Sequence, residues 1–480
     1  MPLGGSTNVA SGACSVVVGG EKNLAQAIGG FIGGGECNNV CNVTSGCLAF
    51  GAAVVGGVGN NTTGGTWDLA TCTFTVAPTI CNAGLYSFVG GGFQNKATCL
   101  GSAISGGTNN TASGFRSTIS GGYNQTASGN YSNISGGRSS TASAGNSTIG
   151  GGNSNISSNT GSTVSGGYSN TASGSLSNIG GGTNNVASGL ISTISGGEKN
   201  LAQAIGGFIG GGECNSVCNS TSGCLAYGAV VVGGVGNNTT GGTWSLATCT
   251  FTVAPTICNT GLYAFVGGGF QNRATANNTF VGGGVNNTAS TYAATIAGGG
   301  SNVASSFFAT VSGGFQNCAS CNHSTVSGGY QNCASGYRSS IVGGNANCAQ
   351  ATNGFIGGGV CNNVFFLSAP NSAFGAAVVG GVGNNTTGGT WSLGGCIFTV
   401  PPTRCNAGIY SYIGGGFQNN ATGNSSVVDG GNCNTASGYK SAIVGGCLNT
   451  ATTNLAFVGG GQSNTASGNR SVVGGGFTNT

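Results

Sequence analysis

GGTNNTASGFRSTIS and GGYNQTASGNYSNIS, residues 106–120 and 121–135, are two consecutive copies of one 15-residue unit. Its Gly-Gly pair returns at 106, 121, 136, 151, 166, 181 and 196. From Gly4 to Gly475 there are 27 such pairs, and the residue two places before the pair is Ile or Val in 26 of them, Pro2 being the exception. A period held this closely is the mark of a repeat architecture. Two residues earlier still the side chain is small: Ser102, Ser117, Ser132, Ser147, Ser162, Ser177 and Ser192, with Gly30, Ala52 or Ala294 elsewhere. A spacing of two on a strand puts that small residue on the same face as the Ile or Val. In the other half of the unit Ala112, Ala127 and Ala172 point one way and the flanking Thr and Ser the other. Each unit therefore reads as two short strands and two turns, with glycine supplying the positive φ angles of the turns.

Rungs of this kind, stacked at a strand spacing of ~4.8 Å, predict an all-β parallel β-solenoid (a β-roll or β-helix). The phase runs through residues 1–480 and predicts one continuous solenoid, a rod on the order of 130 Å long. Asn110, Asn155, Asn170 and Asn185 follow the Gly-Gly pair at one corner and are expected to stack as an amide ladder. One Ile or Val and one Ala per rung is a thin core. Burying such a side chain contributes ~1.5–3 kcal/mol, against ~1–2 kcal/mol of backbone ordering for every residue. This predicts an oligomer that buries the Ile/Val rows between chains; a tight single-chain solenoid is the alternative.

The composition excludes several functions. Glycine accounts for 102 of 480 residues and charged residues for 3%, where a soluble globular chain carries roughly 25%. The 38% hydrophobic content and mean hydropathy of +0.15 are too apolar for a solvated coil. The net charge of +4 comes from ten Lys/Arg and six acids that stand singly along the chain, so no basic stripe for nucleic acid exists. No apolar run is long enough to span a bilayer, and no cofactor motif is present: the GGG runs lack the Lys-Ser/Thr of a phosphate loop. Asp68 and Asp429 are the only aspartates, and His323 is the only histidine. That is too little for an acid/base or triad enzyme, and the chain reads as non-catalytic. Its start and finish in mid-repeat favour an excerpt of a longer protein.

Three cassettes interrupt the rungs, within 34–91, 211–268 and 358–415, each stretching two Gly-Gly intervals to 22 and 35 residues. The longer insertion contains GGTWDLATCTFTVAPTIC, residues 64–81, with Trp67, Trp244 and Trp391 in register. Alternation in TCTFTV followed by Ala-Pro predicts a hairpin. Cys72 with Cys81, Cys249 with Cys258 and Cys396 with Cys405 are placed to staple its arms. Cys41 and Cys47 return as Cys218 and Cys224, while the third copy has Phe365 and Asn371; loss of both members together is what a disulfide predicts. The total of 21 cysteines argues for an oxidising compartment and leaves at least one thiol free or bonded between chains. The CxxC of Cys318 and Cys321, with His323 and Cys333, has zinc-like spacing. The repeat itself brings these positions together, so structural cysteines are the reading and no metal site is assigned.

Two further groups bear on recognition. Arg116, Arg338, Lys440 and Arg470 share one turn position, and Phe93, Phe270, Phe315 and Phe417 share another in the phrase FQN; these are solvent-facing turns or a repeated shallow platform for sugars or a partner fibre. The cassette Trp residues either anchor a sugar or protein partner or fold back over the apolar flank of the rod. Acceptor sequences for N-glycosylation occur at Asn42, Asn60, Asn109, Asn124, Asn277, Asn286 and Asn384.

The runs NTASGFRSTISGG, NTASGSLSNIGGG and NTASGNRSVVGGG, residues 110–122, 170–182 and 464–476, resemble the head repeats of trimeric autotransporter adhesins. The resemblance covers nearly every rung. It implies a left-handed parallel β-roll shared by three chains, projection from a surface, and adhesion. The expectation is a disulfide-rich extracellular rod on a cell or virion surface, an adhesive head or fibre subunit. Its partners would be itself, as a homotrimer or end-to-end filament, and surface glycans. The abundant cysteines and the cassettes depart from the adhesin pattern. They leave open a viral fibre or tailspike-like solenoid that binds or degrades polysaccharide.

Overall fold

A computed structural model of the chain describes residues 3–41, 50–68, 70–71, 73–80, 83–218, 227–245, 250–253, 256–257, 260–365, 374–392, 397–400, 403–404 and 407–480. It divides into two units, Met1–Gly233 with Ser245–Thr250, and Gly234–Trp244 with Phe251–Thr480. Each is an all-β parallel solenoid, and the described residues contain no helix.

In the first unit, the rung that begins at Gly106 contributes the strands Thr111–Ala112 and Thr118–Ile119. Thr111 and Ala112 lie beside Thr126 and Ala127 of the next rung, and Thr118 and Ile119 beside Asn133 and Ile134. The second unit repeats the register, with Thr288–Ala289 beside Val303–Ala304 and Thr295–Ile296 beside Thr310–Val311. Alternation then sorts the faces. Ala112, Ile119, Ser117 and Asn110 are buried, and Thr111 and Thr118 are half-buried on the outside.

The expected burial of the Ile/Val rows between chains is corrected here. Ile104, Ile134, Ile149 and Ile179 are fully buried within a single chain. The facing residues are Ala, Ser and Asn, small enough for the two sheets of a rung to close on one layer of Ile or Val. The thinness of the core reflects the closeness of the sheets, and any interface between chains must use other positions.

The turns also differ from the expectation. In this rung φ is positive at Gly107 (+90°) and also at Asn109 (56°) and Arg116 (50°). Tyr131, Leu176 and Ile191 take the same left-handed turn on other rungs, a conformation that costs an L-residue ~1–2 kcal/mol. Hydrogen bonds between rungs offset it. The turn N–H groups of Asn109 and Arg116 donate back to Phe93 O and Leu100 O at 2.9 Å, while the strand N–H of Thr111 donates forward to Gln125 O at 2.8 Å. Gly114, by contrast, is glycine for space: a Cβ there would stand 2.0 Å from Gly129 O.

The corner asparagines form a ladder, but mainly from side chain to backbone. Asn110 Nδ2 donates to Gly106 O (3.1 Å) and Gly122 O (3.0 Å), and its Oδ1 accepts the N–H of Gln125 at 2.9 Å. Direct amide pairs are added at some steps, such as Asn200 Nδ2 to Asn185 Oδ1 at 3.1 Å. A buried amide thus satisfies backbone groups that a turn would otherwise orphan.

Candidate functional site

The cassettes are where the rungs differ from one another, and the first one shows how a cassette is seated. Thr66–Asp68 pairs antiparallel with Thr73–Val76, and Thr62–Thr63 with Thr79–Ile80, which makes the expected hairpin. Its aromatic rings fold back onto the solenoid, while Val76 stays exposed. The Trp67 ring meets Phe74 edge-on at 5.0 Å and Phe93 at 5.5 Å, and Phe74 stacks on Phe93 at 6.0 Å. Phe93 belongs to the FQN turn of the following rung, so that turn is a docking point for the hairpin. Gln94, next to it, donates to Gly64 O, and Lys96 Nζ donates to Thr63 Oγ1 at 3.2 Å. At the tip, the Ala70 N–H holds the Asp68 carboxyl below its usual range by bonding to it at 2.8 Å.

Half-burial of Trp67 against two rings favours the fold-back arrangement in this copy. Trp67→Ala is expected to destabilise the hairpin by about 2–3 kcal/mol, somewhat less than for a fully buried aromatic. Hydrogen exchange of the Thr73–Val76 amides should then accelerate while the rungs stay protected; unchanged exchange would show that the ring does not hold the hairpin. In the second and third copies Trp244 and Trp391 lie in the equivalent strands Thr243–Ser245 and Thr390–Ser392, and Trp391 registers with Phe398.

Of the cysteines assigned to staples, Cys47, Cys72, Cys81, Cys224, Cys249, Cys258, Cys396 and Cys405 lie outside the described residues. Cys41 and Cys218 are buried at the start of the shorter insertion, and burial pushes the Cys41 thiol up to about 11. No disulfide joins two of the described cysteines. Cys318, Cys333 and Cys348 stand in register on successive rungs, as the period requires. His323 turns away from them: its ring stacks on Phe308 at 5.1 Å and meets Tyr337 edge-on at 6.0 Å. Among the described residues no three His, Cys, Asp or Glu side chains gather as metal ligands.

The acceptor asparagines separate into two groups. Asn124, Asn277 and Asn286 are exposed and Asn109 is half-buried, all at turns; Asn42 lies outside the described residues. Asn60 and Asn384 are fully buried members of the corner ladder, with Nδ2 engaged by Gly56 O and Gly380 O at 2.8 and 2.7 Å. The expectation of glycan acceptors is corrected at these two positions, since the folded rung has no room for a glycan there.

Three of the four basic turn residues cover rings. Arg116 lies over Phe115 at 5.2 Å, Arg338 over Tyr337 at 5.0 Å and Lys440 over Tyr439 at 5.2 Å. Four of the six acids, scattered in sequence, are brought together in pairs by the stack. Glu21 and Glu36 become neighbours on adjacent rungs, with Lys22 Nζ 3.0 and 3.8 Å from their oxygens. Glu198 and Glu213 repeat the arrangement, with Lys199 2.6 Å from Glu198.

Two stretches of the chain, residues 162–174 and 324–336, match the family described as the Ubiquitous surface protein adhesin repeat. The rungs are similar to adhesin repeats. The matched stretches, STVSGGYSNTASG and STVSGGYQNCASG, have the same phase: second strand, Gly-Gly turn, corner Asn, first strand. Each therefore contains the buried set of the adhesin-like rung, Ser162, Val164, Asn170 and Ala172 in one and Ser324, Val326, Asn332 and Ala334 in the other. No curated protein matches the chain. Among the described residues no helix is long and apolar enough to cross a membrane.

Proposed function

We propose that the chain is a non-catalytic, extracellular structural rod with an adhesive role at a cell surface, assembling as a homotrimer. The observation that carries this is the match of two rungs, in one phase, to a surface adhesin repeat, on a solenoid most of whose other rungs have the same buried set. The cassettes are then attachments on a repetitive scaffold, stapled in an oxidising environment by the pairs of Cys72 with Cys81, Cys249 with Cys258 and Cys396 with Cys405. The acceptor sequence at Asn277, which lines neither hairpin foot, is exposed in keeping with an extracellular location.

Association has a surface to use. The turn opposite the Gly-Gly corner carries large apolar side chains that remain exposed, among them Tyr131, Leu176 and Ile191 in the first unit and Phe307, Phe308 and Tyr337 in the second. A column of such residues in a chain with so few charges is suited to self-association. Replacing Tyr131, Leu176 and Ile191 together with Asp leaves the core untouched, and Asp tolerates the left-handed turn. Sedimentation should shift from three chains to one with the far-UV spectrum kept. An unchanged mass would overturn this interface.

A further inference from the structure

We infer that the foot of each of the first two cassette hairpins is a binding site for a carboxylated sugar unit. This rests on the adhesive reading and gives it a ligand class. Where the first hairpin folds back, it leaves a cavity of about 230 Å³ between its base and the following rungs. Thr63 forms one wall, Gln94 and Lys96 the floor, and Thr111, Asn109 and Asn124 the far side. The size is below the ~300 Å³ at which sites for drug-sized ligands begin, and it suits one sugar ring better than an extended polymer.

The cation is specific to this place. On the other described rungs the position of Lys96 carries Thr, Val, Leu, Ile, Ser, Asn or Cys, except for Arg273, which lies under the second hairpin. Arg273 repeats the contact of Lys96, donating to Thr240 Oγ1 at 3.3 Å, and Gln271 repeats that of Gln94, donating to Gly241 O. Thr288 and Asn286 stand where Thr111 and Asn109 do. Among the described residues the ion pairs are those of Lys22 and Lys199, so neither Lys96 nor Arg273 has a carboxylate partner. The hydroxyl of the hairpin holds the side chain and leaves its charge unpaired. The third copy keeps Gln418 on Gly388 O but has Asn420, Cys433 and Leu448 where the first has Lys96, Asn109 and Asn124. The hairpin is therefore seated without the cation, and the cation is present for something else.

One positive charge among hydroxyls and amides matches a ligand with one carboxylate and several hydroxyls. A phosphate dianion would call for a second cation or a nest of converging N–H groups, which the cavity does not offer. The test uses the full chain, with a mass showing no added glycan, titrated calorimetrically with methyl β-D-glucuronide and with neutral methyl β-D-glucoside. The expected result is two millimolar sites per chain for the glucuronide, weakened by salt, and at least tenfold weaker binding of the glucoside. Lys96→Gln with Arg273→Gln should lower glucuronide affinity at least tenfold while hydrogen exchange shows the hairpins still seated. Equal affinity for the two sugars, no binding of either, or full affinity in the double variant would each overturn the site. If attachment to surfaces persists while glucuronide binding fails, this site falls and the adhesive reading stands.

Discussion

Ile119→Asp or Ile134→Asp is expected to unfold the first unit around the substitution and not to separate intact chains. Both side chains are buried within their own rung, at 1% and 0% exposure. The change forfeits ~1.5–3 kcal/mol of apolar burial and adds an unpaired buried carboxylate, worth several kcal/mol more. A total of about 5 kcal/mol or more is comparable with the whole stability of a typical domain. Because each rung is stabilised by its two neighbours, the failure should spread along the stack. Circular dichroism melting and sedimentation on one sample decide it: early loss of β signal is expected, and folded monomers with an unchanged melt would return the Ile row to the interface between chains.

Gly107→Ala should be nearly as damaging, and Gly106→Ala almost silent, although the two glycines are neighbours in one turn. At Gly107 φ is +90° and a Cβ would stand 2.2 Å from Gly122 O and 2.6 Å from Asn110 Nδ2. Neither can yield, because the first is the backbone of the next rung and the second is held by the corner ladder. At Gly106 nothing lies within 4 Å of the added carbon. A loss of about 3 kcal/mol or more is expected at Gly107, against no more than ~0.5–1 kcal/mol at Gly106. Midpoints of denaturant unfolding give the comparison, and the reverse order would mean that the rungs stack in a different register.

The rung was legible because its period is short and its buried positions fall on alternate residues. Spacing alone placed Ile119 and Ser117 on one strand face, set Ala112 opposite its flanking Thr and Ser, and put Asn110 at a corner. What spacing could not give was the distance between the two sheets of a rung. The small size of Ala112 and Ser117 lets them close on Ile119, and the same smallness read in sequence looked like a core in need of a partner chain. The left-handed turn at Tyr131 or Ile191 was hidden for a related reason: the hydrogen bonds that stabilise it run to the previous rung. The hairpin was evident in TCTFTV, but its seat was not. Gln94 meets Gly64 across 30 residues of sequence, and nothing local indicates that Phe93 lies against Trp67 or Lys96 against Thr63. The signal was present in the parallel occurrence of Lys96 and Arg273 at one position on the rung after each of the first two cassettes, in a chain with only ten basic residues.

The in-register stacking has a consequence for how such a gene can change. Every rung offers its neighbours the same donors and acceptors at the same places, so unequal recombination between near-identical rungs can add or delete whole 15-residue steps and leave no orphaned partner behind. A gain of any other size has no place in the stack and must be accommodated beside it, as the hairpin of the first 35-residue interval is. Length polymorphism within a population should therefore be quantised in rungs, and new surface chemistry should arrive as loops at their corners.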